Sequence, residues 1–164
     1  DFALTGTVSG AGKILQVVQV TKTAPFSMTS NTFADVTGLA AAITPSSSSS
    51  KILVMVSIGA AAHVNAVAEF KLLRGSTEIL LGDGEGSRSR TTTTYYGGSG
   101  GNQAAGIGIN FLDSPDTTSA ITYKIQMRSN SNGQIVAVNR NQDDSNSAST
   151  SRQASTITLM EIAA

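Results

Sequence analysis

Short runs of β-branched residues, separated by clusters of serine, glycine, asparagine and proline, recur along most of the chain. Runs of this length with turn residues between them are typical of antiparallel sheets that form a sandwich or a barrel. In the clearest run, residues 51–62 (KILVMVSIGAAA), every second residue is branched: Ile52, Val54, Val56 and Ile58. This alternation predicts a central strand that is covered on both sides.

The number of such runs predicts the fold class. Counting them gives about ten strands and no clear helix, which is the strand number of an antiparallel jelly-roll sandwich with small additions. We therefore predict an all-β fold. A length of 164 residues indicates one domain, in which residues 1–12 form a flexible lead-in or stalk connection and residues 13–164 form the jelly roll.

One segment is ambiguous between helix and strand. Residues 63–74 contain enough Ala, Glu, Lys and Leu for a helix. They also alternate in the manner of a strand, and the Gly75-Ser76 turn that follows favours a hairpin with residues 78–81. We predict a strand. Gly38, within the run 33–44, marks a possible bulge in another strand.

Composition excludes several classes of function. The chain has 11 Lys and Arg against 11 Asp and Glu, and it has no cysteine. The balanced, scattered charge argues against a nucleic-acid partner. The absence of cysteine excludes disulfides, thiolate catalysis and Cys-type zinc sites. No apolar run approaches the ~18 residues of a membrane span, so we expect no membrane insertion.

The motifs that could indicate catalysis or metal binding match their known patterns only in part. Residues 97–101 (GGSGG) contain the letters of a nucleophile elbow, but that motif needs a strand-to-helix turn and a base, and His63 is the only histidine. Among metal ions, calcium fits the sequence best, because residues 143–146 (DDSN) and the pair of Asp83 and Glu85 offer oxygen ligands. Neither group has EF-hand spacing. We predict no catalytic residue, metal or cofactor, and no enzyme activity.

Two long polar loops, residues 82–96 and 141–152, contain the candidates for receptor binding. Arginines beside exposed tyrosines are typical of carbohydrate- and protein-recognition surfaces. Strand alternation offers another interpretation of the tyrosine pair, with one ring packed inward and the other on the rim. The candidate residues are Asp83, Glu85, Arg88, Arg90, Tyr95, Tyr96, Asp143, Asp144 and Asn146.

Several phrases carry a family resemblance. They are residues 4–20 (LTGTVSGAGKILQVVQV), 33–39 (FADVTGL), 43–46 (ITPS), 50–54 (SKILV), 73–76 (LRGS) and 156–162 (TITLMEI). With them the chain resembles the C-terminal domains of tail-fibre and other structural proteins of marine and cyanobacterial phages. Such domains are similar in strand plan to the tumour necrosis factor and complement globular-head jelly rolls.

The resemblance implies a homotrimer on a stalk in an extracellular virion, joined to other virion proteins by its lead-in, with apical loops that bind. Aromatic residues are only 5% of this chain, whereas those families pack many along the threefold axis. In a trimer of this chain, Ile, Val, Leu and Met would have to pack along the threefold axis instead.

The expected function is therefore a non-enzymatic fibre-tip adhesin that recognises a host surface glycan or protein through the apical loops. The alternative is a capsid decoration or cement protein without a receptor role. A glycan depolymerase is a minor further alternative.

Overall fold

The computed structural model describes residues 12–98 and 103–164, and all regular structure within them is β-strand. The all-β prediction of about ten strands is confirmed. The eleven strands are β1 (Ile14–Lys22), β2 (Phe26–Met28), β3 (Ala34–Ile43), β4 (Lys51–Ala62), β5 (Val67–Arg74), β6 (Thr77–Ile79), β7 (Thr93–Tyr96), β8 (Ala104–Asp113), β9 (Ile121–Ser129), β10 (Val136–Val138) and β11 (Ser155–Ile162). Residues 1–11, most of the predicted lead-in, lie outside the described residues.

The strands form two antiparallel sheets, each four strands wide. We call each of these four lines a strand position, and one position can hold two strands in succession. Sheet A has the spatial order β1, β11, β4, β8. Sheet B has the order β3, β9, β5, β7. Three short strands share these positions, because β2 continues the line of β1, β10 the line of β11, and β6 the line of β7.

The order of the eight positions identifies the fold. Numbered along the chain, positions one, eight, three and six are neighbours in sheet A, and positions two, seven, four and five are neighbours in sheet B. The first and last positions therefore pair, and most connections cross from one sheet to the other. This is the strand order of a double-sheet jelly roll.

Strand β4 lies in the middle of sheet A, as predicted. It pairs with β8 along one edge and with β10 and β11 along the other. Ile52, Val54, Val56 and Ile58 face the core and are buried. The expectation that both faces are covered is wrong. Met55 is 39% exposed, because the second face of the strand points away from sheet B.

The ambiguous segment 63–74 is a strand from Val67 onward. Strand β5 pairs with β9 on one side and with β6 and β7 on the other. The predicted hairpin is present, since Arg74 pairs with Thr77 across a turn in which Gly75 has a φ of +60°. Pairing on both edges decides between helix and strand at a place where local propensity does not.

Strand β3 contains the predicted bulge. Its register against β9 shifts between Asp35 and Ala40, and Gly38 within this interval has a φ of +83°. A residue with a side chain rarely adopts that backbone conformation, so glycine permits the bulge.

The core between the sheets is aliphatic with two large rings, Phe70 and Tyr123, both fully buried. The hydroxyl group of Tyr123 donates a hydrogen bond of 2.6 Å to Asp113 of the opposite sheet. Arg74 also donates to Asp113, at 3.0 and 3.1 Å. Burial and the bond to Asp113 raise the pKa of Tyr123 far above its ordinary value. The polar triad thus joins β8 to β5 and β9.

Candidate recognition surface

Both loops with candidate residues interrupt a strand position. Residues 80–92 separate β6 from β7, which pair with β5 at Leu72 and Phe70, two residues apart. Residues 139–154 separate β10 from β11, which pair with β4 at Ala60 and Ser57. Each loop therefore interrupts the line of a strand partway along its length, and the two belong to different sheets. The expectation that the loops are apical is wrong, because neither joins strands at an end of the sandwich.

Asn139 fixes the start of loop 139–154. Its side chain is fully buried, and its amide group donates to the carbonyl oxygens of Lys22 at 2.7 Å and Ala24 at 3.3 Å. Its side-chain oxygen accepts a 2.6 Å bond from the hydroxyl of Ser155, where the loop ends. With a φ of 63°, Asn139 adopts the left-handed conformation that asparagine tolerates better than most residues. One side chain thus joins both ends of the loop to the edge of sheet A.

The loop is closed by two arginines that share one carboxylate. Arg140 and Arg152 form a β-bridge. Their guanidinium groups contact different oxygens of Asp144, at 2.9 Å and 2.5 Å respectively. Burial acts to raise the pKa of Asp144, but the hydrogen bonds from Arg152 and Arg140 outweigh it, so the pKa lies below its ordinary value. Two cations around one anion leave the cluster with a net positive charge.

The rest of the loop forms a polar hollow of about 330 Å³. Asp143, Asp144 and Asn146 all line it and are exposed. Asp143 accepts bonds from the backbone N–H and the hydroxyl of Ser145, at 3.0 and 2.9 Å. Arg152, which is not among the predicted candidates, also lines the hollow. The hollow therefore presents positively charged, negatively charged and hydroxyl side chains to solvent.

Loop 80–92 is more open. Arg90 donates to the carbonyl oxygen of Gly82 at 2.8 Å, which closes the base of the loop. Glu85 and Arg88 lie 3.7 Å apart, with about three quarters of each side chain exposed. Asp83 is also exposed. At that exposure an ion pair contributes little to stability, so these side chains can turn to another partner at small cost.

The tyrosine pair divides as strand alternation predicts. Tyr95 packs partly buried against the core, and burial raises the pKa of its hydroxyl group. Tyr96 is 56% exposed, and its hydroxyl donates to the side-chain oxygen of Asn65 at 3.1 Å. Only Tyr96 offers a ring to a partner. Nearby Gly97 has no room for a side chain, because an added Cβ atom would collide with the backbone oxygen of His63.

Sequence reasoning missed Asn139, Arg140 and Arg152. A local signal for the arginines exists, since they stand at the two ends of an acidic and hydroxylic segment. The role of Asn139 has no local signal, because its partners Lys22, at the end of β1, and Ala24, in the β1–β2 connection, lie 117 and 115 residues away.

The described residues contain little that suggests catalysis or metal binding. No three His, Cys, Asp or Glu side chains within them are grouped as a metal site. His63 bonds to the carbonyl oxygen of Val64 at 2.9 Å. In the GGSGG segment, residues 99–101 lie outside the described part of the chain. The described residues also contain no helix of the length and apolarity that crossing a membrane requires.

No protein-family profile matches this chain, and no curated protein matches it. Among solved structures, it is similar to the VP2 protein of infectious bursal disease virus. A mutant VP2 in derived T=1 particles and a second structure of such particles each have 12% identity and a TM-score of 0.47. The structure of the Gx strain has 14% identity and a TM-score of 0.45. The matches cover 90% of this chain, which spans only 36 to 37% of the length of those chains. The jelly-roll assignment rests on the strand order.

Proposed function

We propose that the chain is a non-enzymatic structural protein of a phage virion that recognises a host surface receptor. Its jelly-roll strand order and the phrases that resemble phage tail-fibre domains support the virion assignment. The further expectations, a homotrimer and attachment to other virion proteins through residues 1–12, belong to the same proposal.

The observation that carries the receptor role is loop 139–154. Loops on a rigid β-scaffold are common sites of recognition. This one is anchored by the buried Asn139 and closed by the Arg140–Asp144–Arg152 cluster. Such a loop loses little conformational entropy on binding, because its shape is already set.

The chemistry of the hollow favours a hydroxylated ligand, because its lining offers both donors and acceptors. Arg152 has a side chain that is 56% exposed and can donate to a sugar or a carboxylate. Asp143 and Asn146 can accept bonds from sugar hydroxyl groups. A surface glycan of the host cell envelope supplies both kinds of group.

The test is binding of the fluorescently labelled protein to a panel of marine cyanobacterial cells. We expect saturable binding that Arg152→Ala and Asn146→Ala weaken, with the fold unchanged by circular dichroism. Glu78→Gln serves as the control, since that exposed carboxylate lies outside both loops. Absence of binding to every strain in the panel, or equal binding by all variants, would contradict the receptor role.

A second candidate is a capsid decoration protein without a receptor role. The observation that favours it is the set of exposed apolar side chains on sheet A, among them Val17, Met55 and Leu112, which suits packing against neighbouring subunits. Immunogold labelling of intact particles separates the two functions. Label on the capsid lattice supports decoration, whereas label at fibre tips supports the adhesin.

A further inference from the structure

Exposed apolar side chains concentrate on sheet A. Of the seven large hydrophobic residues that are markedly exposed in the described part of the chain, five belong to this sheet. The other two, Leu80 and Tyr96, lie beside and in sheet B. The five residues and their exposed fractions are Ile14 51%, Leu15 42%, Val17 55%, Met55 39% and Leu112 50%.

Four apolar side chains form a continuous row across the outer face of sheet A. Val17 of β1 pairs with Met160 of β11, Met160 pairs with Leu53 of β4, and Leu53 pairs with Leu112 of β8. Directly paired residues in an antiparallel sheet point to the same face. The row therefore crosses all four strand positions, a span of roughly 14 Å at the usual strand spacing.

A band of neutral polar groups runs beside this apolar row. A shallow depression of about 370 Å³ is lined by residues that include Ser57, Asn110, Thr156 and Thr158. Thr158 accepts a bond of 2.8 Å from Gln19. Ser57, Asn110 and Thr156 make no side-chain hydrogen bond to other described residues. Their hydroxyl and amide groups can both donate and accept.

The face is almost free of charge. On the outward positions of β1, β4, β8 and β11, only Lys51 is charged, and it lies at the start of β4. Glu161 and Asp113, the acidic residues in β11 and β8, are buried. A second copy of the same face can therefore approach without strong repulsion between like charges.

We infer that the outer face of sheet A is an interface between copies of this chain. The face is complementary to itself, because an apolar row can meet an apolar row and groups that both donate and accept can pair with their own kind. Four strand positions of about 4.8 Å and the eight residues of β11 at about 3.4 Å each give a face of roughly 500 Å², more than half of the ~800 Å² per partner of a standard interface. The inference does not depend on receptor recognition.

The test is the mass of the full chain in solution by light scattering. We expect an even multiple of 16.8 kDa, because a face that meets its own copy joins chains in pairs. A mass of three chains would overturn this inference and support the proposed homotrimer. The double variant Val17→Lys with Leu112→Lys should reduce the mass to one chain, since it introduces charges into the contact. Tyr96→Lys, which places one lysine at an exposed apolar position of sheet B, should leave the multiple unchanged. A wild-type mass of one chain overturns the inference, and so does a multiple that survives the double variant.

A second measurement covers the case in which the double variant fails to fold. The chain has no cysteine, so any disulfide formed by a single-cysteine variant joins two copies. We expect mild oxidation to cross-link Met55→Cys on sheet A far faster than Thr122→Cys, at an exposed position of sheet B. Equal rates overturn the inference. Neither measurement uses host cells, so failure of this inference can be distinguished from failure of the receptor test.

Discussion

The outer faces of the two sheets use polar side chains in opposite ways. On sheet B, charged groups pair with one another: Arg128 with Glu69 at 2.6 Å, and Lys71 with Glu78 at 2.7 Å. The ring of Phe33 lies beneath the cations of Lys71 and Arg128, 4.3 and 4.7 Å from its centre. On sheet A the outer face carries one charged residue, Lys51, and several of its polar groups remain without a partner in the described chain.

The two outer faces therefore suit different surroundings. The two sheets have the same number of strand positions and bury the same kind of aliphatic face. Sheet B satisfies its outer side chains by itself, so it suits contact with water. Sheet A places its carboxylates, Glu161 and Asp113, on buried sites and leaves apolar groups outside, so it suits contact with another protein surface.

The strongest way to break this arrangement is to remove the buried carboxylate beneath sheet A. One oxygen of Glu161 accepts bonds of 2.7 Å from both the N–H and the hydroxyl of Ser46, and the other accepts a 2.6 Å bond from Gln16. Glu161→Ala removes the acceptor of three hydrogen bonds and creates a cavity. We expect a loss of about 3 kcal/mol in the free energy of unfolding, measured with urea. Glu78→Ala, at an exposed carboxylate, should cost less than about 0.5 kcal/mol; equal losses would contradict the anchoring role.

The same carboxylate predicts an acid sensitivity. The bonds from Ser46 outweigh burial and, with Gln16, lower the pKa of Glu161 from 4.5 to about 2. The folded state therefore binds this proton less readily than the unfolded state, so its contribution to stability is full above pH 4.5 and disappears as the pH falls toward 2. Glu161→Gln should show a smaller decrease of unfolding free energy over this interval than the wild type. Parallel pH profiles of the two proteins would exclude this assignment.

The next prediction tests the pairing on sheet B directly. Arg128→Ala removes the partner of Glu69, whose side chain is only 10% exposed, and also the contact with the Phe33 ring. We expect a loss of about 1 to 3 kcal/mol, because a largely buried carboxylate is left unpaired. Asn110→Ala on sheet A should change the unfolding free energy by less than about 0.5 kcal/mol, since that side chain has no partner in the described part of the chain. If the two variants lose equal stability, the two faces do not differ as described.

The two faces also show which features of the fold could be predicted from the sequence alone. The period of two in β4 predicted its strand and its buried residues, because alternation is a local property. It could not predict that Leu53 and Met55 face outward without cover, since the same apolar residues would fill a core. The loops were recognisable from composition, but their position within a strand line depends on pairing between distant segments. The burial of Glu161 could not be predicted either, because its hydrogen-bond partner Ser46 lies 115 residues away in the sequence.

The smallest expected effect concerns the exposed pair of Asp35 and Lys124 on sheet B. Their charged atoms are 2.8 Å apart, and the Asp35 side chain is 52% exposed. The bonds from Lys124 and Gln126 lower the pKa of Asp35. A double-mutant cycle with Asp35→Ala and Lys124→Ala should give a coupling of about 0.2 to 1 kcal/mol, as is usual for exposed pairs.

Salt and titration give this last prediction its control. Added salt should reduce the coupling between Asp35 and Lys124, because solvent reaches both groups. The coupling of Glu69 with Arg128 should decrease less, since Glu69 is largely buried. In an NMR titration, Lys124→Ala should raise the pKa of Asp35 toward its ordinary value. A pKa unchanged by that substitution would mean that the outer face of sheet B is a set of independent charges, and its difference from sheet A would then lie in composition alone.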